Sequence, residues 1–307
     1  MGRWVAKSLV HRLLFWLPGG RRVANLLRRS STRLDPAGFL EAVSSAQRHR
    51  RAGSGDRKGG PKRVLEIGTG WNPVQPVAHF LCGADRVDTW DIESLVSPES
   101  WRRVVGFFLN PALTESWQAR LPDWDSSRWR HLQKLSVELL SRPPREGLAQ
   151  LNIHLHFGFP KSLEGADPYD LSFSHSVLQY FAPAELARLL HRLHQLAAPG
   201  GVTSHWISLA DQFARFDPSI SPYNFLRFSD ATWRWLDSPL IPLNRLRCSE
   251  YVRAFSEAGW SCRQAEKLPG PPLDREWRRL ASRFRSMDPA DVQVVGLWWQ
   301  GERGSKG

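Results

Sequence analysis

The residues in this chain whose types and spacing could do chemistry begin with an acid two positions before a pair of spaced glycines, Glu66-x-Gly68-x-Gly70. A second acid, Asp91, follows 21 residues after Gly70. Glycine admits positive φ and lets backbone approach a ligand closely. An acid at the end of the following strand can accept two hydrogen bonds from ribose hydroxyls. A carboxylate beside the glycine turn would repel a pyrophosphate and attract a cation or an ammonium group. A dinucleotide fingerprint needs a third glycine where this chain has Pro73, and the Gly-Lys-Ser/Thr of a P-loop is absent. The ligand these residues suit is a nucleoside that carries positive charge and no phosphate.

The elements that must position these residues follow from hydrophobic patterning. "RVLEIG" (63–68) reads as a buried strand, residues 73–83 as a helix ending at Gly83, and "RVDTWDI" (86–92) as the next strand. Residues 96–150 are rich in Trp and Arg and mostly helical. Strands follow at 151–158 and 169–178, a helix at 183–197 stopped by "APGG", and a strand at 201–209. After an aromatic-rich irregular stretch (210–247) comes a helix at 248–260 with Ser249 as its expected N-cap, then strands at 261–268 and 291–301. Alternating strands and helices imply an α/β, doubly wound sheet, in which ligands sit at the carboxyl ends of strands where strand order switches. Two segments are expected: a basic N-terminal helical segment and linker (1–62) and a ligand-binding domain (63–302) with insertions at 95–150 and 210–247 covering the active site.

Charge separates the same two segments. The chain carries a net +12, with 42 Lys+Arg and 30 Asp+Glu. Residues 1–63 hold 15 basic and 3 acidic groups, so the remainder holds 27 of each and is neutral. A neutral body argues against a broad nucleic-acid-binding face. Residues 4–29 pattern as a basic amphipathic helix broken at "PGG" (18–20). That helix could lie on a membrane surface with Trp4, Phe15 and Trp16 at the interface, or pack on the body as an ordinary N-terminal helix. Residues 49–62 read as a Gly- and charge-rich linker. No apolar run is long enough to span a membrane, and no signal-peptide pattern is present. Cys82, Cys248 and Cys262 lie far apart, which suggests no zinc site and fits a reducing compartment. A cytoplasmic location is the expectation, with peripheral inner-membrane contact as the alternative should residues 4–29 lie on a membrane surface.

Glu66-x-Gly68-x-Gly70 and Asp91 resemble the first two motifs of class I S-adenosylmethionine-dependent methyltransferases. "DPYDLSFSHSVLQYF" (167–181), "LHQLAAPGGV" (193–202) and "EAGW" (257–260) resemble later motifs of that family in the same order. The resemblance covers about residues 60–300, and the run 204–247 is similar to a bacterial subgroup of poorly defined acceptor. It implies a Rossmann-like sheet of about seven strands with the last antiparallel, helical insertions and N-terminal helices. It implies S-adenosyl-L-methionine as cofactor, held by Glu66, Gly68, Thr69, Gly70, Asn72, Asp91, Ile92, Ser174 and His175. Asn72 stands where the family often has a third glycine. The adenine-contacting acid after the third strand is not evident, and Phe157 or His156 is offered in its place.

Methyl transfer to oxygen needs a base. The candidates are His175, His205 and Asp211, with Asp217, Tyr223 and Asn224 in the insertion beyond. Each has a plainer reading: His175 shaping the cofactor pocket, His205 as a satisfied core histidine, Asp211 capping the next segment. Phe213, Phe216, Tyr223, Phe225, Phe228, Trp233 and Trp235 could line an acceptor pocket or form the core of a small cap. Arg215, Arg227, Arg245 and Arg247 among them would suit an acidic acceptor. No metal triad is visible. The leading expectation is methyl transfer to a small molecule or glycan-type acceptor. The alternatives are an RNA methyltransferase using the basic arm and a non-catalytic membrane-associated protein on the same fold. An NAD-dependent oxidoreductase is disfavoured by Glu66.

Overall fold

The computed structural model describes residues 34–54, 59–158, 167–215, 217–238, 242–274 and 276–304, with residues 4, 8, 10, 12, 16 and 17. Most of the 4–29 helix expectation, including its break at 18–20, therefore lies outside the described residues, as does Phe216. Seven strands form one mixed sheet in the order β3-β2-β1-β4-β5-β7-β6, its last strands antiparallel. The strands are β1 (Arg63–Ile67), β2 (Arg86–Asp91), β3 (Ile153–Phe157), β4 (Tyr169–His175), β5 (Ala197–Ser208), β6 (Trp260–Pro269) and β7 (Val294–Arg303). β1 pairs in parallel with both β2 and β4, so the strand order reverses at β1 and β4. The doubly wound, seven-stranded expectation holds.

The chain divides into two compact units. One comprises Thr32–His175, Arg192–His205 and Gln300–Gly307. Its first element, α1 (Pro36–Ser54), carries buried Phe39, Val43 and Ala46. The linker read at 49–62 therefore begins inside a helix: residues 49–54 are its last turns, and His49 and Arg50 are buried. Local Gly and charge content described those turns poorly because tertiary burial overrides propensity. α2 (Val74–Leu81) follows Pro73 and ends before Gly83, whose φ of +84° suits only glycine at that turn.

Helices α3 (Pro98–Leu109), α4 (Pro111–Arg120), α5 (Ser126–Ser141) and α6 (Pro144–Gln150) make up the Trp-rich insertion. Three begin on side-chain caps legible in sequence: Ser97 accepts from the Ser100 N–H, Asn110 from Ala112, and Asp125 from Ser127 and Arg128. Their buried tryptophans keep the indole N–H satisfied, Trp101 on the Leu139 carbonyl at 2.9 Å and Trp117 on Phe108 at 3.1 Å. These side chains join Val64, Val87, Ile153, Leu171 and Phe173 in one core, so the insertion covers a face of the sheet.

The other unit comprises Met1–Ser31, Ser176–His191 and Trp206–Trp299. It contains α8 (Asp230–Leu236) and α9 (Cys248–Glu257), and short α10 (Ser282–Arg285) and α11 (Pro289–Val292). α7 (Pro183–Leu196) runs from this unit into the other. The expected N-cap of α9, Ser249, is corrected: Arg247 occupies the cap, and its N–H donates to Glu250 Oε2 at 2.9 Å. Ser249 donates its N–H and hydroxyl to Asp291 instead. Tyr223, Phe225, Trp233, Leu236 and Phe284 form the unit's core, with Phe213 and Phe228 packed against it. For Phe213, Tyr223, Phe225, Phe228 and Trp233 the cap-core reading is the one observed, whereas Trp235 is exposed. Among the described residues, no helix is long and apolar enough to cross a membrane.

Asp88 ties the strands of the first unit together. Its buried carboxylate accepts from Arg86 (2.8 Å), from His156 Nε2 (2.7 Å) and from the Tyr169 hydroxyl (3.0 Å), linking β2, β3 and β4. Burial alone would raise its pKa; the hydrogen bonds from His156 and Arg86 outweigh that and hold it well below the usual carboxylate range. A depressed folded pKa contributes stability that is present above the unfolded value, near 3.9, and is lost as pH falls below it. We predict that Asp88→Asn lowers unfolding free energy at pH 7 by about 2 kcal/mol, less than the ~3–5 of a fully buried pair because Arg86 and His156 keep contact with water. The gap between wild type and variant should narrow as urea titrations are repeated toward pH 2.

Candidate functional site

The carboxyl ends of β1, β2 and β4 and the turns after them carry the residues expected to hold the cofactor, all in one unit. Register sets Glu66 beside Thr89 and Ile67 beside Trp90. One step past the strand, the Gly68 N–H still donates to the Trp90 carbonyl at 2.7 Å. The chain then leaves the ladder through two positive-φ glycines, Gly68 (+85°) and Gly70 (+64°). The Gly70 N–H donates to Asp91 Oδ2 at 2.9 Å, which joins the turn to the end of β2. A Cβ added at Gly70 would meet nothing within 4 Å, so the turn faces open space. Asn72 lies just before α2, its carbonyl accepting from the Val74 N–H at 2.8 Å.

Glu66 lies on the sheet face that carries Val64 and is only 4% exposed. Thr89, absent from the sequence expectation, donates its hydroxyl to Glu66 Oε2 at 2.8 Å and also contacts the Thr69 hydroxyl. Burial raises the Glu66 carboxyl to about 8; the Thr89 hydrogen bond opposes this and nearby Asp91 adds to it. Burial raises Asp91 as well, against the Gly70 N–H that favours its charge. The site thus holds two buried acids, with burial favouring the protonated form of Glu66 at neutral pH. The residue after Asp91, Ile92, is 69% exposed, an apolar surface at the mouth of the turn. Phe157 ends β3 half-exposed, whereas His156 is engaged by Asp88, so of the two offered as base-stacking residues only Phe157 is left for that role.

The three base candidates are not brought together. His175 ends β4 on the face of Phe173, and His49 of α1 stacks on Phe173 at 4.9 Å and meets His175 edge-on at 5.8 Å. His49 was missed because its helix was read as linker. Strand alternation turns Ser174 to the opposite face. There Ser174 meets His205 Nδ1 at 2.7 Å, while Thr203 holds His205 Nε2 at 2.6 Å. Burial drives His205 down to about 3. His205 is a satisfied core histidine, and the Ser174 hydroxyl belongs to that core pair. The residue after His175, Ser176, has φ of +58°, strained backbone of the kind concentrated at functional sites.

Asp211 belongs to the other unit. It is buried, its Oδ1 accepting from the Phe213 N–H at 2.9 Å and its Oδ2 from the Trp4 indole at 2.8 Å. Burial raises it to about 6. Of the four arginines, two are internal braces. Arg245 donates to the Phe225 and Phe228 carbonyls and to Asp230, and Arg247 to the Leu209, Val292 and Val294 carbonyls. Arg227 is half-buried and donates to Asn224, and Arg215 is exposed.

No family model matches the sequence, and no curated protein does. The solved structures to which the chain is similar include several named as methyltransferases. N-methyltransferase NodS from Bradyrhizobium japonicum WM9, in complex with S-adenosyl-L-homocysteine, is 11% identical over 85% of this chain and 86% of that one, with a TM-score of 0.39. An S-adenosylmethionine-dependent methyltransferase from Mesorhizobium loti is 16% identical over 78% and 90%, with a TM-score of 0.38. CurJ carbon methyltransferase is 15% identical over 79% of this chain, which spans only 48% of that protein's length, with a TM-score of 0.38.

The raised Glu66 carboxyl sets a stability prediction. A folded pKa above the unfolded one contributes stability that is full at low pH and lost as pH rises through the folded value, here from about 4.5 to about 8. Glu66→Gln should therefore make the unliganded protein more stable than wild type at pH 9 and leave the two alike at pH 4, as read by thermal unfolding.

Proposed function

We propose that the chain is an S-adenosylmethionine-dependent methyltransferase acting on a small-molecule or glycan-type acceptor at oxygen. The observation that carries this reading is the pair of buried acids, Glu66 and Asp91, on either side of the open positive-φ turn at Gly70. The donor set fits that cofactor. Asp91 offers a carboxylate to ribose hydroxyls, Ile92 an apolar face to adenine, and Glu66 a counter-charge for an ammonium group. Gly68, Thr69 and Asn72 shape the turn beside them. When bound, the cofactor supplies an electrophilic methyl on a sulfonium. The chain's own task is to orient the acceptor oxygen, exclude water and take up its proton.

Of the candidates, His175 suits the base. It ends β4 at the switch in strand order, on the face of the sheet that carries Glu66. His205 is held on both nitrogens away from that face. Asp211 is bonded to Trp4 and Phe213, which suits it to ordering the loop after β5.

Titration calorimetry tests the reading. S-adenosylmethionine and S-adenosylhomocysteine should bind the wild type, and NAD should not. Asp91→Ala should weaken both by roughly 10–100-fold, the worth of hydrogen bonds to a charged group. Binding at pH 7 should release protons as Glu66 ionises, so affinity should climb with pH until about 8. His175→Gln should leave cofactor affinity intact and cut kcat by about 10²–10⁴ once an acceptor is in hand. A folded wild type that binds neither compound refutes the proposal.

A further inference from the structure

The N-terminal helix has two faces. The residues described there, Trp4, Ser8, Val10, Arg12 and Trp16, are helical. One face docks on its own unit. Trp4 is buried, stacked on Phe228 at 4.9 Å and edge-on to Phe213 at 5.7 Å. Ser8, one turn on, donates to the Leu236 carbonyl, and Arg12, another turn on, donates to the Trp235 carbonyl. These contacts fix the helix beside α8. The expectation that Trp4 lies at a membrane interface is thereby corrected: that side chain serves the core.

Beside that docked row, Val10, Trp16 and Leu17 are exposed, Trp16 by 72%, and Trp235 of α8 by 57%. The Arg12 guanidinium lies 5.8 Å over the Trp235 ring, so a cation sits among the apolar groups. These four account for half of the eight large hydrophobics exposed among the described residues. The first 34 residues contain eight Lys or Arg and no Asp or Glu.

We propose that this surface, Val10, Trp16 and Leu17 with Trp235, is where the protein binds an anionic lipid bilayer. Tryptophan and aliphatic side chains inserted at the headgroup level, with cations around them, are the physical signature of an interfacial helix. Charge complementarity selects the occupant. A second copy would oppose like charges, and a nucleic acid offers nothing to the aliphatic groups Val10 and Leu17. The proposal is independent of the methyltransferase reading, since it concerns a surface and not the cofactor turn.

Vesicle co-sedimentation of the full chain tests it, with phosphatidylcholine alone and with phosphatidylcholine and phosphatidylglycerol at roughly two to one. Binding should appear only with the anionic vesicles and weaken as salt is raised. Trp16→Ser with Leu17→Ser, and separately Trp235→Ser, should each lower the partition coefficient about tenfold. All three side chains are exposed, so unchanged thermal unfolding would certify that the variants fold. Overturning results are a wild type that ignores anionic vesicles, substitutions that leave binding unchanged, or tight binding to a random-sequence RNA oligonucleotide without vesicle binding.

Discussion

The hydrogen bond from the Gly70 N–H to Asp91 is the contact on which the candidate site depends. It closes the gap between two strands exactly paired up to Ile67 and Trp90, after the Gly68 N–H has carried the ladder one step further. Only glycine takes the turn at this curvature without strain, and only an acceptor at the end of β2 holds the turn down. The result is a backbone loop tied at one side and open at the other, beside the place where strand order reverses. Glu66 and Thr89 below it follow from register alone, since neighbouring positions on one face of a parallel pair must meet.

That arrangement costs stability. Two carboxyls are buried there, and burial, with a smaller contribution from Asp91, raises Glu66 to about 8. A sheet built for stability alone would put an aliphatic side chain at Glu66, as it does two residues earlier at Val64. Buried acids without a cation are tolerated where a ligand repays the strain. The tension between fold and site thus lies in one side chain, and it argues for a cationic ligand on grounds separate from any likeness of sequence.

How much of this was legible in the sequence depends on how far apart the interacting residues lie. Glu66, Gly68, Gly70 and Asp91 could be read because strand, turn and strand are consecutive and the glycine requirement is local. The doubly wound alternation was accessible in the same way, whereas the caps Ser97, Asn110 and Asp125, although of the residue types that favour N-caps, were not among the expectations. His205 could be read only as base or core histidine, because the choice depends on facing Ser174 across strands 31 residues apart, and a one-residue change of register would have turned either side chain to the other face. Ser249 had the right chemistry for an N-cap, but Asp291, 42 residues away, takes both its donors. Residues 49–54 were misread because burial against the sheet, not composition, keeps those turns helical.

The tryptophans make the same distinction between local type and distant partner. Trp101 and Trp117 are buried with their N–H groups on backbone carbonyls, and Trp4 is buried with its N–H on a carboxylate. A buried indole needs such an acceptor, and each of these has one supplied by the fold. Asp211 in turn needs donors to stay inside, and Trp4 meets that need from 207 residues away. The N-terminal helix is therefore held by reciprocal satisfaction of two buried polar groups, with aromatic packing around them.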